Sequence, residues 1–323
     1  MDRAVADGFP MLLASQRQYL DDFWQRSNIT VTTNPARAQA STTAVQQAIR
    51  FNLFHILQAA ARAENTGIPA KGLTGGAYEG HYFWDTEIYV LPFLIYTAPR
   101  IAKNLLRFRH GMLDMARERA RQLNQRGAMY PWRTINGEEA SAYYAAGTAQ
   151  YHINADIIYA LKKYVHATGD EEFLFEEGVE MLVETARLWR SLGFYSPRKG
   201  GQFCIHCVTG PDEYSTMVDN NTYTNLMARE NLRYAAETVE KIRERRPDLF
   251  TALTYKVRLD LLEVWEWKRA AEHMYIPSDE RTQITPQDDQ FLDQEPWDFE
   301  RTPLTKYPLL LYFHPLTIYR YQV

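Results

Sequence analysis

The sequence predicts an all-α fold, and within that class a toroid of helical hairpins, on two observations. Apolar residues recur at three- and four-residue spacing through long stretches, with no convincing series of strands among them. The loops between these stretches alternate in character: one set is short and ordinarily charged, the other long and rich in glycine, aromatics and acids. If successive helices run up and down, every second loop falls at the same end, and the long loops gather over one mouth. Loops of that length inside a compact domain are uncommon unless they carry function. No internal sequence repeat is visible, so the toroid rests on loop alternation and helix length.

In chain order the helical stretches cover 9–26, 42–64, 100–125, 153–169, 171–193, 220–244 and 250–274. Short connections such as "HATGDEEF" and "RERRPDLF" carry ordinary charge. The long ones span 71–86, 127–151, 196–221 and 276–308. The segment "QFCIHCV" reads as a short apolar strand running into a turn. Its Cys204 and Cys207 are the only cysteines. No second Cys/His pair stands at ligand spacing, so they are expected to be buried free thiols in a reducing compartment, with no metal.

At 323 residues a sizeable core is possible. A formal net charge of −4 leaves no basic field to collect phosphates along a polymer, which excludes a general nucleic-acid binder. Aromatics make up 13% of residues, and many stand beside Asp, Glu, His and Asn, a mixture suited to a wet cleft lined by rings. The N-terminus lacks a basic region followed by a long apolar one, and no apolar run reaches the roughly 20 residues that span a bilayer. A soluble, cytoplasmic protein is expected.

The long loops hold the candidate chemistry. In "LTGGAYEGHYFWDTE" Gly75, Gly76 and Gly80 break the chain around Tyr78 and before His81, Tyr82, Phe83, Trp84 and Asp85. The glycine spacing matches neither phosphate-binding pattern. A Trp face beside an Asp suits a pyranose ring, whose C–H face stacks on the indole while the carboxylate accepts from two hydroxyls. Equally, Phe83 and Trp84 could be core and Asp85 the N-cap of "TEIYVLPFLIY". The second loop offers Trp132, Arg133, Glu138, Glu139, Tyr143, His152, Asn154 and Asp156, with Asp156 read as a local partner for the "HIN" turn. In the third, "TGPDEY" places Asp212 and Glu213 after a Gly-Pro break. A proton donor to a glycosidic oxygen needs a rigid, partly desolvated carboxyl with its pKa raised. Pro211 would fix the backbone, Gly210 permit a tight turn, and Tyr214 shield the acid. The same residues are also ordinary turn chemistry, with Asp212 as an Asx-turn acceptor.

Together "KGLTGGAYEGHYFWDTEIYVLPF", "GAMYPWRTINGEEAS", "YHINADIIYAL", "VTGPDEYSTMVDNNTYTNLMARENL", "PQDDQFLDQEPWDFE" and "YPLLLYFHPLTIYRYQV" resemble glycoside hydrolase family 65, the inverting disaccharide phosphorylases. The resemblance runs from about residue 8 to the last residue. It implies an (α/α)6 barrel over 41–323, incomplete at the C-terminal end, after a linker helix region at 1–40. It implies that Glu213 is the general acid and that Trp84 and Asp85 hold the glucosyl unit. It further implies that Trp132, Glu138 and Glu139 of "YPWRTINGEE" help form the sugar pocket, and Tyr82, His152 and Asp212 complete the substrate-binding candidates.

The partners implied are a disaccharide and inorganic phosphate, which attacks the anomeric carbon to give β-glucose 1-phosphate, with homodimerisation expected of the full-length relatives. No metal or organic cofactor is implied, since phosphate is a co-substrate. Family members carry a β-sandwich before the barrel and, after "IYRYQV", the residues that bind phosphate. The chain is therefore expected to be a fragment, inactive alone and poorly soluble. "LTIYRYQV" has a helical pattern without a stop signal. The alternatives are a catalytically silent sugar-binding fragment and an inverting hydrolase of the same family. "WRTINGEEAS" points to trehalose or maltose; the linkage cleaved is not set by these residues.

Overall fold

The computed structural model describes residues 2–32, 41–60, 66–141 and 146–323. Helix α1 spans Asp2–Ser27 and is broken locally at Gly8, whose φ of 68° lies outside the helical region, two residues before Pro10. Helix α2, Thr42–Ala59, starts where the Ser41 hydroxyl accepts from the Ala44 N–H. The end of the expected 42–64 helix, and the proposed division between 40 and 41, fall partly on residues outside the described set.

Two layers follow. A π-turn at Thr86–Val90 runs directly into α3, Leu91–Thr97. Helices α4, Pro99–Gly111, and α5, Leu113–Gln122, divide the expected 100–125 helix at Met112. Helix α6 is His152–Thr168, closed by Gly169 in the left-handed conformation (φ 71°). Asp170 then caps α7, Glu171–Phe173, which continues through a π-turn at Leu174–Gly178 into α8, Val179–Leu192. Helix α9, Thr222–Arg245, is capped by Asn221.

The expected 250–274 helix is two helices, α10, Pro247–Val257, and α11, Leu261–Glu272. The cause is local: Arg258 turns left-handed (φ 50°), and Asp260 with Glu263 forms a capping box that starts a new helix. Beyond α11 the chain is irregular, with α12 only at Pro315–Ile318. "LTIYRYQV" is thus one helical turn followed by a strand rather than a helix. The strands are minor: β1 (Phe194–Ser196) pairs antiparallel with β2 (Gln202–Cys204), and β3 (Glu295–Pro296) pairs parallel with β4 (Tyr321–Gln322).

Helices α3, α6 and α9 lie side by side as one layer, and α4, α8 and α11 cover them as the other, the alternation of an (α/α) barrel. Between the layers sit Leu94, Leu105, Ile157, Leu182, Trp189 and Trp267, each fully or almost fully buried. The loop alternation read from the sequence has its structural counterpart here. Connections from inner to outer helices are single residues or short turns, at Ala98, Gly169–Asp170 and Arg246. The three long connections that precede α3, α6 and α9 meet at the N-terminal ends of the inner helices.

Ion pairs knit the outer layer. Glu180 on α8 accepts from Arg117 (2.7 Å) and Lys256 (2.6 Å), and Glu263 on α11 accepts from Arg126 and Arg187 (both 2.8 Å). Deeper, Arg109 of α4 makes a bidentate pair with Glu87 in the π-turn, Nε to Oε1 at 2.8 Å and an Nη to Oε2 at 3.1 Å, with both side chains fully buried. The guanidinium carbon stands 4.5 Å from the centre of the Tyr82 ring, and the Tyr82 hydroxyl donates to Glu87 (2.7 Å). Breaking such a pair strands a buried charge. Glu87→Gln or Arg109→Met alone should each cost about 3–5 kcal/mol of unfolding free energy in urea titrations, with the double replacement less damaging than either single one. Single variants within 1 kcal/mol of the parent would show the pair to be incidental, at roughly the scale of an exposed ion pair.

Candidate active site

The long loops before α3, α6 and α9 enclose a cleft of about 760 Å3 lined by Tyr78, Phe83, Trp84, Asp85, Trp132 and Glu213, among others. That volume is in the range of small-molecule sites. The first two loops are tied by an antiparallel bridge between Tyr82 and Thr134 and by an ion pair from Arg133 to Glu79. Phe83 meets Trp132 edge to face at 5.8 Å.

Trp84 is partly buried against the core, and Asp85 is exposed at the lip of the cleft. Asp85 precedes the π-turn but its side chain makes no capping hydrogen bond, so the N-cap reading of this residue is set aside. In the second loop Glu139 accepts from the backbone N–H groups of Trp132 (2.7 Å) and Arg133 (3.2 Å). Its carboxylate is spent on holding Trp132 in place. Glu138 is exposed and accepts from Asn136 (3.0 Å). Tyr143 lies outside the described residues.

The third loop forms a closed turn: Gly210 N–H donates to the Ser215 carbonyl and Ser215 N–H to the Asp212 carbonyl, both at 2.9 Å. The Asp212 carboxylate accepts from Tyr214 N–H (3.1 Å), which makes it the Asx-turn acceptor and leaves Glu213 as the carboxyl on the cleft. Gly210 is needed for close approach, since a Cβ there would sit 2.6 Å from Asn221 Nδ2. Tyr214, next in sequence to the acid, lines a small cavity with Phe291, Tyr319 and Tyr321.

The fourth long loop does not reach the cleft but clasps the third from behind. Ser215 Oγ donates to Gln287 Oε1 (2.6 Å), Thr222 N–H to the Gln287 carbonyl (2.8 Å), and Asn220 Nδ2 to Asp289 (2.7 Å).

Glu213 is half-buried, and Gln150 Nε2 donates to its Oε1 at 3.0 Å. Burial raises the Glu213 pKa. The Gln150 hydrogen bond opposes this, the nearby Asp212 and Asp85 charges reinforce it, and His152 opposes it, with the net shift upward. A carboxyl so placed can give a proton to an oxygen in the cleft at a pH where an ordinary glutamate is ionised. Nothing in the sequence marked Gln150, which is almost fully buried, for this contact.

Two candidates lie elsewhere. Tyr82 is buried and its hydroxyl is committed to Glu87, so it supports the cleft wall without facing sugar. His152 is fully buried and bonded through Nδ1 to Asp156 (2.7 Å), beneath the cleft instead of on its surface. Asp156 bonds a side chain one turn back, not the backbone of the "HIN" turn. Cys204 is buried as expected, whereas Cys207 is exposed.

A second cavity of about 430 Å3 between α3, α6 and α9 has Tyr96, Tyr159, Met227 and Tyr234 in its walls, and its acid, Glu230, is paired with Lys162. It offers no desolvated carboxyl. Among the described residues no group of three or more His, Cys, Asp or Glu is placed to hold a metal ion, and no helix is long and apolar enough to cross a membrane.

A two-layered (α/α) array whose cleft opposes a desolvated carboxyl to an aromatic platform and a second acid is the arrangement of a carbohydrate-active catalytic domain. The comparisons with known proteins agree. Residues 50–323 match the glycosyl hydrolase family 65 central catalytic domain, and the chain belongs to that family.

It is 50% identical over its whole length to an alpha,alpha-trehalose phosphorylase of Thermoanaerobacter brockii, covering 41% of that protein. It is 50% identical over 98% of its length to another from Geobacillus stearothermophilus, and 35% identical over 91% to a kojibiose phosphorylase of Halothermothrix orenii. A solved structure from human microbiome, assigned provisionally as a kojibiose phosphorylase, superimposes with a TM-score of 0.87 at 31% identity, over 98% of this chain and 40% of that one. The chain thus spans about 40% of the length of the curated relatives it matches.

The geometry fixes how Glu213 should titrate. Carbon-13 NMR of labelled glutamate side chains, with Glu213 assigned by its loss in Glu213→Gln, should show it above the ordinary carboxyl range. Gln150→Ala removes a bond that favours the ionised form and should move the titration higher; Asp85→Asn removes a repelling charge and should move it lower. Because the folded chain holds this proton more tightly than the unfolded one, the associated stability is present below the unfolded pKa and is lost as pH rises through the folded pKa. Titration at or below the ordinary value would remove Glu213 as proton donor.

Proposed function

We propose that this chain supplies the proton-donating half of the active site of a family 65 disaccharide phosphorylase, with trehalose as substrate and kojibiose or maltose as alternatives. The observation that carries the reading is Glu213, a single half-buried carboxyl with raised proton affinity on a cleft that it shares with Trp84 and Asp85. Trehalose is favoured by 50% identity to two trehalose phosphorylases against 35% to a kojibiose phosphorylase.

In this reading the Trp84 ring stacks on the apolar face of a glucosyl unit and Asp85 accepts from its hydroxyls. Glu213 transfers its proton to the glycosidic oxygen as the bond from that oxygen to the anomeric carbon breaks. A phosphate oxygen forms the new bond to the same carbon from the opposite face, giving β-glucose 1-phosphate. The second glucose leaves with the donated proton, and Glu213 regains one from water or phosphate before the next turnover. No metal or organic cofactor takes part in this sequence.

The test exchanges this chain for the matching segment of the Thermoanaerobacter brockii trehalose phosphorylase and assays phosphate-dependent cleavage of trehalose, kojibiose and maltose. The hybrid should act on trehalose, and Glu213→Gln within it should lower the rate by about 10²–10⁴-fold, the range for loss of a general acid. Near-parental turnover in Glu213→Gln, or abolition by Asp212→Asn instead, would overturn the acid assignment. Preference for kojibiose would overturn the substrate alone.

A further inference from the structure

We infer that His152 is a positioning residue for Trp84, locked in orientation by Asp156 and Tyr223. Asp156 is fully buried, and a buried carboxylate is costly unless donors answer it. It has two: the His152 imidazole through Nδ1 at 2.7 Å and the Tyr223 hydroxyl at 2.8 Å. His152 and Asp156 stand one turn apart on α6, so the helix itself sets them face to face, while Tyr223 reaches across from α9.

The imidazole is therefore pinned by one edge. Its other nitrogen, Nε2, is buried and meets no nitrogen or oxygen among the described residues. What closes on the ring is aromatic: Trp84 at 4.9 Å and 82°, and Tyr223 at 5.5 Å and 85°, both edge to face. An apolar ring would fill this space with no orphaned nitrogen. Histidine is of use here because Asp156 can fix the rotation of the ring, and the rotation of the ring sets how the indole lies against it. Trp84 is then oriented by the α6–α9 junction as well as by its own loop. The inference rests on the reading of Trp84 as a sugar platform, and the experiment separates the two.

The hybrid phosphorylase carrying this chain is labelled with nitrogen-15 tryptophan, the Trp84 indole resonance is assigned by its loss in Trp84→Phe, and glucose binding is measured by calorimetry. Tyr223→Phe keeps the ring and removes only the hydrogen bond to Asp156; it should shift the Trp84 resonance and weaken glucose binding with cooperative unfolding intact. His152→Gln should do the same more strongly, weakening binding about ten-fold, the scale of one lost hydrogen-bonded or ring contact. In the Trp84→Phe background neither change should weaken binding further.

Unshifted Trp84 resonances in Tyr223→Phe and His152→Gln would overturn the inference. So would equal losses of affinity with and without Trp84, which would mean that His152 acts on the sugar or on folding directly. Should His152→Gln fail to fold, the Tyr223→Phe arm decides. If Trp84→Phe leaves glucose binding unchanged while the His152 and Tyr223 variants still shift the indole, the positioning role stands and the platform reading falls.

Discussion

The buried pair between Arg109 and Glu87 is the constraint on which the cleft depends. It joins an outer helix to the π-turn that opens α3, two residues after Asp85, and it does so where neither charge has access to water. Two charges taken out of water are tolerated only when geometry and hydrogen bonding are nearly complete. Here the guanidinium meets both carboxylate oxygens, the Tyr82 hydroxyl adds a third donor to Glu87, and the Tyr82 and Tyr130 rings lie 4.5 and 5.9 Å from the cation. Tyr82 belongs to the first cleft loop and Tyr130 to the second. A single cation thus fixes the position of both walls, and the backbone bridge from Tyr82 to Thr134 carries that fixity to Trp132.

Above this anchor, opposing effects decide what Glu213 can do. Burial pushes its proton affinity up while the amide of Gln150 pulls it down, with the net shift upward. The turn supporting it is held from several directions: the Asp212 carboxylate closes it from within, Gly210 lets Asn221 approach, and Gln287 grips Ser215 from the fourth loop. A loop so restrained can hold a carboxyl in one orientation, which acid catalysis demands.

Much of this was legible in the sequence, and the failures have physical reasons. Loop alternation forecast where three of the four long loops meet, because helical hairpins oblige it, whereas the fourth packs behind the third. "GPDEY" identified the acid pair, and the structure divides its two members by local chemistry, since only Asp212 can reach the N–H two residues on. Periodicity ran past the break at Arg258 because apolar spacing continues through it, although the Asp260–Glu263 capping box was readable. Tyr82 and His152 look like ring-lined polar contacts in sequence; their burial depends on partners, Arg109 and Tyr223, that are 27 and 71 residues away in the chain. Gln150 and Gln287 carry no signal, because a glutamine's role is set wholly by what stands opposite it.

The position of α6 gives these parts a common origin. Gln150 stands two residues before the helix's first residue and contacts Glu213; His152 begins the helix and contacts the indole; Asp156, one turn on, anchors the histidine to α9. Gln150, which tempers the proton affinity that burial gives Glu213, and His152, which packs on Trp84, therefore stand two residues apart at the N-terminal end of α6. A displacement of this helix end would alter the surroundings of Glu213 and Trp84 together. Conversely, the buried Asp156 resists such displacement, because moving α6 away from α9 would strand its carboxylate without the Tyr223 donor. The interior hydrogen bonds of the inner helices thus act as the frame that keeps Glu213 and Trp84 in register across the cleft.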